Sequence, residues 1–576
     1  MRAWFEDDSG VLPRFIALCD VTPEYGIDAW LRTGTQGVGL DPALGLDLID
    51  NGAFIGRDGR VIVEARYRDP SGSLPSVFRL IDRSPGGDSR VLLETGTPVP
   101  ELGSDAVISD IEGMTEQPLA LCEVASGGDT FTAVYRLPDD GPAQLVTATS
   151  LPIPGDPGGA VLVWVVDQML CEDGSVVIVG RVELAGDPGA FRYGVWKFRP
   201  DGTAEPLLTE GQQSPFAGVG VTIEEVVLGS AAIEPAIAAA IIERDDQGIA
   251  LGELSVLVGI DGVLRPLMRL GEDVGNGQVV TDIRPHAANE RGDAALLVTT
   301  EGFDTDDRAY WVVTAEGERR RVVGDRDPAS GFPSPTAWLS VTTRNNASVD
   351  NDGRLTIYSN YLRRTDDSGS GRAALYAEGE SGLLEPAWTS ETEVPTPLGP
   401  AYVDFIDGRP LYDQAYRSLP NGQILGYLRT MTSGGDPDRG AWIGGLEHPT
   451  RLVCSSRRFI NVGSFDDPRF DQFDGIQPGY ESYASNGPSS SADYWNADGQ
   501  IALLLEYGDE TDFAVVLFDA NRCLPDTNND GVVNPTDFTA WVIAYNARTP
   551  ACDQNGDGLC TPQDFTSWVR NFNAGC

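Results

Sequence analysis

Histidine is almost missing from this sequence: its 576 residues include two, His286 and His448, far apart and each beside a proline. A His-based metal site or a Ser-His-Asp triad has little to build from, and both residues read as satisfied loop histidines. The chain also lacks a Gly-x-Ser-x-Gly elbow, a Walker loop and a His-Glu-x-x-His pair, which removes the commonest motif-borne chemistries. Basic residues are scarce, 41 Lys and Arg against 87 Asp and Glu, for a net charge of −46. Nothing here could neutralise a run of phosphates, which argues against a nucleic-acid partner and equally against an acidic membrane surface. No apolar run reaches the roughly 18 residues of a membrane span. The first residues, Met1-Arg-Ala-Trp-Phe-Glu-Asp-Asp, have no basic segment followed by an apolar one, as a signal peptide would. Export of this chain therefore requires that it is a mature or cloned form, or that the true start lies upstream.

What is present is concentrated at the C-terminal end. Asp526-Thr-Asn-Asn-Asp-Gly-Val-Val-Asn-Pro-Thr-Asp537 returns as Asp553-Gln-Asn-Gly-Asp-Gly-Leu-Cys-Thr-Pro-Gln-Asp564. Oxygen side chains fall at loop positions 1, 3, 5, 9 and 12: Asp526, Asn528, Asp530, Asn534 and Asp537 in the first copy, Asp553, Asn555, Asp557, Thr561 and Asp564 in the second. Position 6 is glycine, which accepts the positive φ of a loop folding around an ion, and position 7 (Val532, Leu559) offers its backbone carbonyl. A hard cation that takes six to eight oxygens is served by this set, so two calcium ions are expected. Pro535 and Pro562 sit where a helix begins, with Asn534 and Thr561 placed to cap it. Phe538, Trp541, Val542 and Tyr545 recur as Phe565, Trp568, Val569 and Phe572 at helical spacing, so each helix has one face to bury against the other.

Position 12 is Asp where an ordinary EF-hand has Glu, and each loop has a helix after it and none before. The segment resembles type I dockerins, and more closely the bacterial GC-type dockerin-anchored proteins, whose chains end as Asn573-Ala-Gly-Cys576 does. The resemblance covers about the last 54 residues. It implies calcium-dependent folding and attachment of an extracellular protein to a cohesin-like or other surface partner. Cys523, Cys552, Cys560 and Cys576 lie in this small tail, where disulfides commonly substitute for a core, and four cysteines allow three pairings. We favour Cys523 with Cys576, tying the ends, and Cys552 with Cys560, bracing the second loop. An oxidising, extracellular or cell-surface location follows.

Residues 1–522 are read as one β domain and 523–576 as the dockerin-like domain. Two patterns alternate through the body. One is a turn leading into a strand: Gly56-Arg-Asp-Gly-Arg-Val, Cys171-Glu-Asp-Gly-Ser-Val, Asp350-Asn-Asp-Gly-Arg-Leu, Leu419-Pro-Asn-Gly-Gln-Ile and Asn496-Ala-Asp-Gly-Gln-Ile, with weaker relatives near Gln117, Pro235 and Asn289. The other is a strand pair ending in a break, as in Gly194-Val-Trp-Lys-Phe-Arg-Pro-Asp-Gly before Pro206-Leu-Leu-Thr-Glu-Gly. Both recur at about 55 to 65 residues, the length of four strands and their turns. The expected fold is mainly β, a propeller of four-stranded blades, eight favoured and seven as the alternative, with a small α-helical calcium-binding domain after it. The chain opens on the second pattern and the body closes on the first, so an N-terminal half-blade completed by C-terminal strands would shut the ring. The body also resembles an uncharacterised family of bacterial propeller-like repeats, through its Asp-Gly turns and Leu-Leu-x-x-Gly-x-x-x-Pro breaks such as Leu92-Leu-Glu-Thr-Gly-Thr-Pro-Val-Pro100.

Chemistry in the body is hard to find. A sialidase-type Asp-box is approached by Ser348-Val-Asp-Asn-Asp-Gly-Arg-Leu-Thr-Ile-Tyr358, but the spacing to glycine is wrong. The stretch from Ser455 to Trp495 reads as a long aromatic loop packed on the rim, with Asp466, Asp467, Asp471 and Asp474 as a further acidic group. The favoured reading is a non-catalytic, secreted or cell-surface protein. Its body presents a recognition surface for a polysaccharide or protein ligand, and calcium loops tether it. The rival is an extracellular glycoside hydrolase or lyase on the same anchor, which would need only two suitably spaced carboxylates.

Overall fold

Short apolar runs punctuated by Asp-Gly turns fold into strands almost throughout. The structure, a computed structural model, describes residues 2–5, 15–22, 26–32, 45–55, 61–68, 75–83, 89–114, 118–156, 159–184, 186–233, 236–302, 307–324, 327, 337–340, 347–363, 372–389, 392–396, 399–403, 416–418, 422–432, 437–446, 450–455, 459–461, 470–477, 500–507, 512–519, 525–528, 533–552, 554 and 560–574. These carry thirty-eight strands, then helices α1 (Pro535–Ala547) and α2 (Pro562–Ala574) with a 3₁₀ turn, Pro550–Cys552, between them. Among the described residues, no helix is long and apolar enough to cross a membrane.

The strands form nine antiparallel sheets in chain order, numbered here I (2–32), II (45–94), III (107–148), IV (161–209), V (222–269), VI (279–324), VII (337–389), VIII (393–455) and IX (459–519). Sheets II to VI and IX have four strands each, I has three, VII five and VIII six. Sheets II to IX begin at 45, 107, 161, 222, 279, 337, 393 and 459, at intervals of 54 to 66 residues, which is the period of the sequence repeat. Contacts pass from each of these sheets to the next, and they return from IX to II where Gln500–Tyr507 meets Gly45–Ile55. Sheet I lies against Asp512–Asp519, the last strand of IX.

Among the described residues the apolar core is divided into slabs between neighbouring sheets. One apolar slab joins Leu119 and Val134 of sheet III to Leu162, Ile178 and Trp196 of IV. The next joins Val177, Val179 and Val195 of IV to Ile223, Val226 and Ile241 of V. Sheet IV is thus covered on both faces, which is why Val176, Val177, Ile178 and Val179 are all buried instead of alternating.

The repeated sequence patterns mark the joints. In sheets IV and VI the turns at Asp173-Gly174 and Asn289 connect first to second strands, and turns of neighbouring sheets touch: Glu172 N–H donates at 2.9 Å to the carbonyl of Ile260, in the turn between the third and fourth strands of V, and Asn289 Nδ2 donates to the Asp350 carbonyl across VI and VII at 2.6 Å. The breaks connect last strands to the next first strands. Gly96, Ser150, Gly211 and Gly271, all at positive φ, donate their N–H to Ile108, Leu162, Ile223 and Val280 of the following sheet. The stretch 455–495, read above as a loop, contains the strands Phe459–Asn461 and Phe470–Gln477 of sheet IX, so Phe459, Phe470 and Phe473 stand on strands. Its remaining aromatics and the acids Asp466 and Asp467 lie outside the described residues.

Candidate metal centre

The two helices start where the loop sequence places them. Asn534 is the N-cap of α1: its side-chain oxygen accepts from the Thr536 N–H at 2.8 Å, and Pro535 opens the helix. Asp537 closes the reciprocal half of the capping box, its Oδ2 accepting from the Asn534 N–H at 2.8 Å. In the second copy the Thr561 N–H donates to Asp564 Oδ2 at 2.7 Å, and the Thr561 hydroxyl caps Gln563 at 3.3 Å.

Asp537 and Asp564, the position-12 acids, are fully buried, and Asp526 is nearly so. The other oxygen of each position-12 acid ties down the start of its loop: Asp537 Oδ1 accepts from the Asn528 N–H at 3.2 Å, and Asp564 Oδ1 from the Gln554 N–H at 2.9 Å. A buried carboxylate needs such partners, and each of these oxygens has two lone pairs, so the bonds leave capacity for a further ligand. The donor set is oxygen, with carboxylates drawn into the interior, and it fits a hard divalent cation. Asp530, Val532, Asp553, Asn555, Asp557 and Leu559 lie outside the described residues. Among the described residues no three His, Cys, Asp or Glu side chains converge on one point.

The helices pack through a ladder of rings. Phe538 meets Trp568 at 5.2 Å between centroids, Trp541 meets Phe565 at 5.6 Å, and Trp568 meets Phe572 at 5.0 Å. Trp541 and Trp568 are buried, while Phe538, Phe565 and Val569 remain more than a third exposed, so the shared face is sealed at its tryptophans and open at its edge. The indoles also cross over. Trp541 of α1 donates Nε1–H to the Cys552 carbonyl at 3.0 Å, beside the second loop, and Trp568 of α2 donates to Thr527 Oγ1 at 3.3 Å in the first. Helical spacing alone did not expose this exchange, although the matching positions of the two tryptophans carry its signal. Cys552 and Cys560 form a disulfide with Cα atoms 5.6 Å apart, bracing the second loop as expected. Cys523 and Cys576 lie outside the described residues, and in the body Cys122 and Cys171 are free and buried.

The body places one histidine differently from the sequence reading. His286 stands in the strand Val279–Ala288, not in a loop, edge-on to Tyr310 with centroids 5.5 Å apart. Burial, with the Arg284 cation adding to it, pushes its pKa down to about 4. His448 is outside the described residues.

A model of a family of unknown function, DUF7453, matches residues 53–516, most of the chain. The chain belongs to this family. The DUF7453 match covers the strand-built body and stops before the Asp526 loop. A search of curated proteins finds no match. Among solved structures, a Lactobacillus plantarum protein is similar at 13% identity over 67% of this chain and 95% of its own, with a TM-score of 0.23. A Penicillium chrysogenum α-L-arabinanase is similar at 10% identity over 64% and 97%, TM-score 0.22. A Pseudomonas aeruginosa periplasmic gluconolactonase is similar at 13% over 74% and 98%, TM-score 0.23. Scores at this level say nothing of what the DUF7453 chain does.

Proposed function

We propose that the chain is a secreted or cell-surface recognition protein, an eight-bladed propeller held to a cohesin-like partner by a dockerin-like module that folds around two calcium ions. The cycle of contacts from sheet II to IX and back to II supports the closed propeller. The observation that carries the tether is the paired burial of Asp537 and Asp564, each binding its own loop to its own helix start. Asp526, Asn528, Asp530, Asn534 and Asp537 with the Val532 carbonyl would hold one ion, and Asp553, Asn555, Asp557, Thr561 and Asp564 with the Leu559 carbonyl the other. Bound calcium would relieve repulsion among the three carboxylates of each loop.

Calorimetric titration of the full chain, with disulfides intact, should give two calcium ions per molecule. A ligand that binds only the folded form stabilises it by roughly 2.7 kcal/mol at a hundredfold excess over its Kd, so the melting of the module should rise with calcium. Asp537→Ala should remove one ion and spare the second site, and Asp564→Ala the reverse. A stoichiometry other than two, or indifference to both substitutions, sinks the tether. Incubation with polysaccharides should release no reducing ends; turnover abolished by a single carboxylate substitution would favour the enzyme instead.

A further inference from the structure

The first strands of sheets II to VI share a bulge, and the residue just after it is Leu48, Asp110, Trp164, Glu225 or Asp282. In sheets III, V and VI that position is acidic; in sheet IV it is Trp164, 53% exposed. The extra residue, Val163, shifts the register so that Trp164 stands opposite Arg181, and Arg181 stands opposite Tyr193 on the third strand. Directly opposed residues share a sheet face, so the three form one row. Phe191, two residues from Tyr193 and 44% exposed, lies beneath the Arg181 guanidinium, whose carbon is 3.9 Å from the ring centroid. Gly180 makes room for this strand: a Cβ there would fall 2.9 Å from the Trp164 carbonyl oxygen.

Arg181 differs from its neighbours. Arg192, Arg244 and Arg269 each pair with a glutamate, whereas Arg181 has neither an acidic partner nor a hydrogen bond among the described residues. Its fixed fork of N–H donors sits over the Phe191 ring, and the residue is half-buried.

We propose that Trp164, Arg181 and Phe191 bind a neutral polysaccharide, the rings stacking on sugar faces and the guanidinium donating to a pair of adjacent hydroxyls. This rests on the recognition reading above and gives it a ligand class. Charge selects the class: with a net charge of −46, and with Asp110, Glu123 and Glu225 at the matching places of the flanking sheets, a polyuronate is repelled while a neutral chain is not. Size argues against a protein ligand, because three strands span only about 10 Å and a stable protein contact needs roughly 800 Å² on each side.

The full chain is tested on immobilised hexaoses of glucose, mannose, xylose and galactose, with a galacturonate hexaose for contrast. At least one neutral hexaose should be retained and the uronate should not. Trp164→Ala, Phe191→Ala and Arg181→Lys, the last keeping the charge but not the fork, should each weaken binding about tenfold or more, with the melting temperature unchanged and with Trp164→Tyr retaining most of the affinity. Failure of the folded wild type to bind any neutral hexaose, preference for the uronate, or substitutions without effect overturns the proposal. So does a dimer that depends on Trp164 without glycan binding. Calcium titration does not involve this row, so failure here leaves the tether standing, and failure of the tether leaves this site to be judged by its own binding.

Discussion

A single backbone conformation recurs where one sheet hands over to the next. Gly96, Gly211 and Gly271 take φ of 88°, 81° and 83° there, and Ser150 takes 72°. Open space surrounds the missing Cβ of Gly96, so Gly96→Ala should cost only the left-handed strain, about 1 to 2 kcal/mol. Ser150→Gly removes that strain but loosens the unfolded chain, and should be neutral or stabilising by up to about 1 kcal/mol. Urea denaturation of the two variants should give these opposite trends. Asp167 offers a second case. Burial, opposed by one hydrogen bond from the Gln168 N–H, pushes its carboxyl up to about 6. A folded-state pKa above the unfolded value means stability is lost as pH rises from about 4 through about 6. Asp167→Asn, which keeps an acceptor without the charge, should therefore stabilise the protein at pH 7.5 by up to roughly 3 kcal/mol, and the gain should vanish near pH 4. An equal effect at both pH values would show that the charge is not the cause. Neither position stands out in the sequence: Ser150 occupies a place that glycine fills elsewhere, and nothing local to Asp167 announces its burial.

At the scale of elements, much more was legible. Every Asp-Gly or related turn read from the sequence as the first pattern leads into an inner strand of a sheet, from Val61–Arg68 to Gln500–Tyr507, because such a turn has few other uses between two apolar runs. The calcium-type loops likewise led to α1 and α2 with the expected caps. What could not be read was register. A bulge is one extra residue with no compositional mark, yet Val163 decides that Trp164 shares a face with Arg181. The strands inside 455–495 were missed for a related reason, since they are short and sit among Asp, Gly and Pro. The last strands show how open edges are blunted. Pro206, Pro266 and Pro386 fall opposite Trp196, Val256 and Tyr376, each beside a register shift, so neither a free N–H row nor a flat edge is offered to another chain.

For the molecule as a whole, the two ends of the body meet. Sheet I lies against Asp512–Asp519, and deleting residues 1–24 takes away Arg2–Phe5 and Phe15–Thr22. The truncated chain should melt lower or self-associate, as sedimentation and thermal melting will register; a monomer with an unchanged melting point would mean that sheet I does not seal the body. The crossed tryptophans bear on the proposed attachment of the molecule. Trp541 reaches from the first helix to the edge of the second loop, and Trp568 from the second helix into the first loop, so ordering one loop around an ion would favour the order of the other. If the proposed calcium sites are joined in this way, each would change the other's affinity by the same factor. The proposed tether would then let go over a narrower range of falling calcium concentration than two independent sites would give.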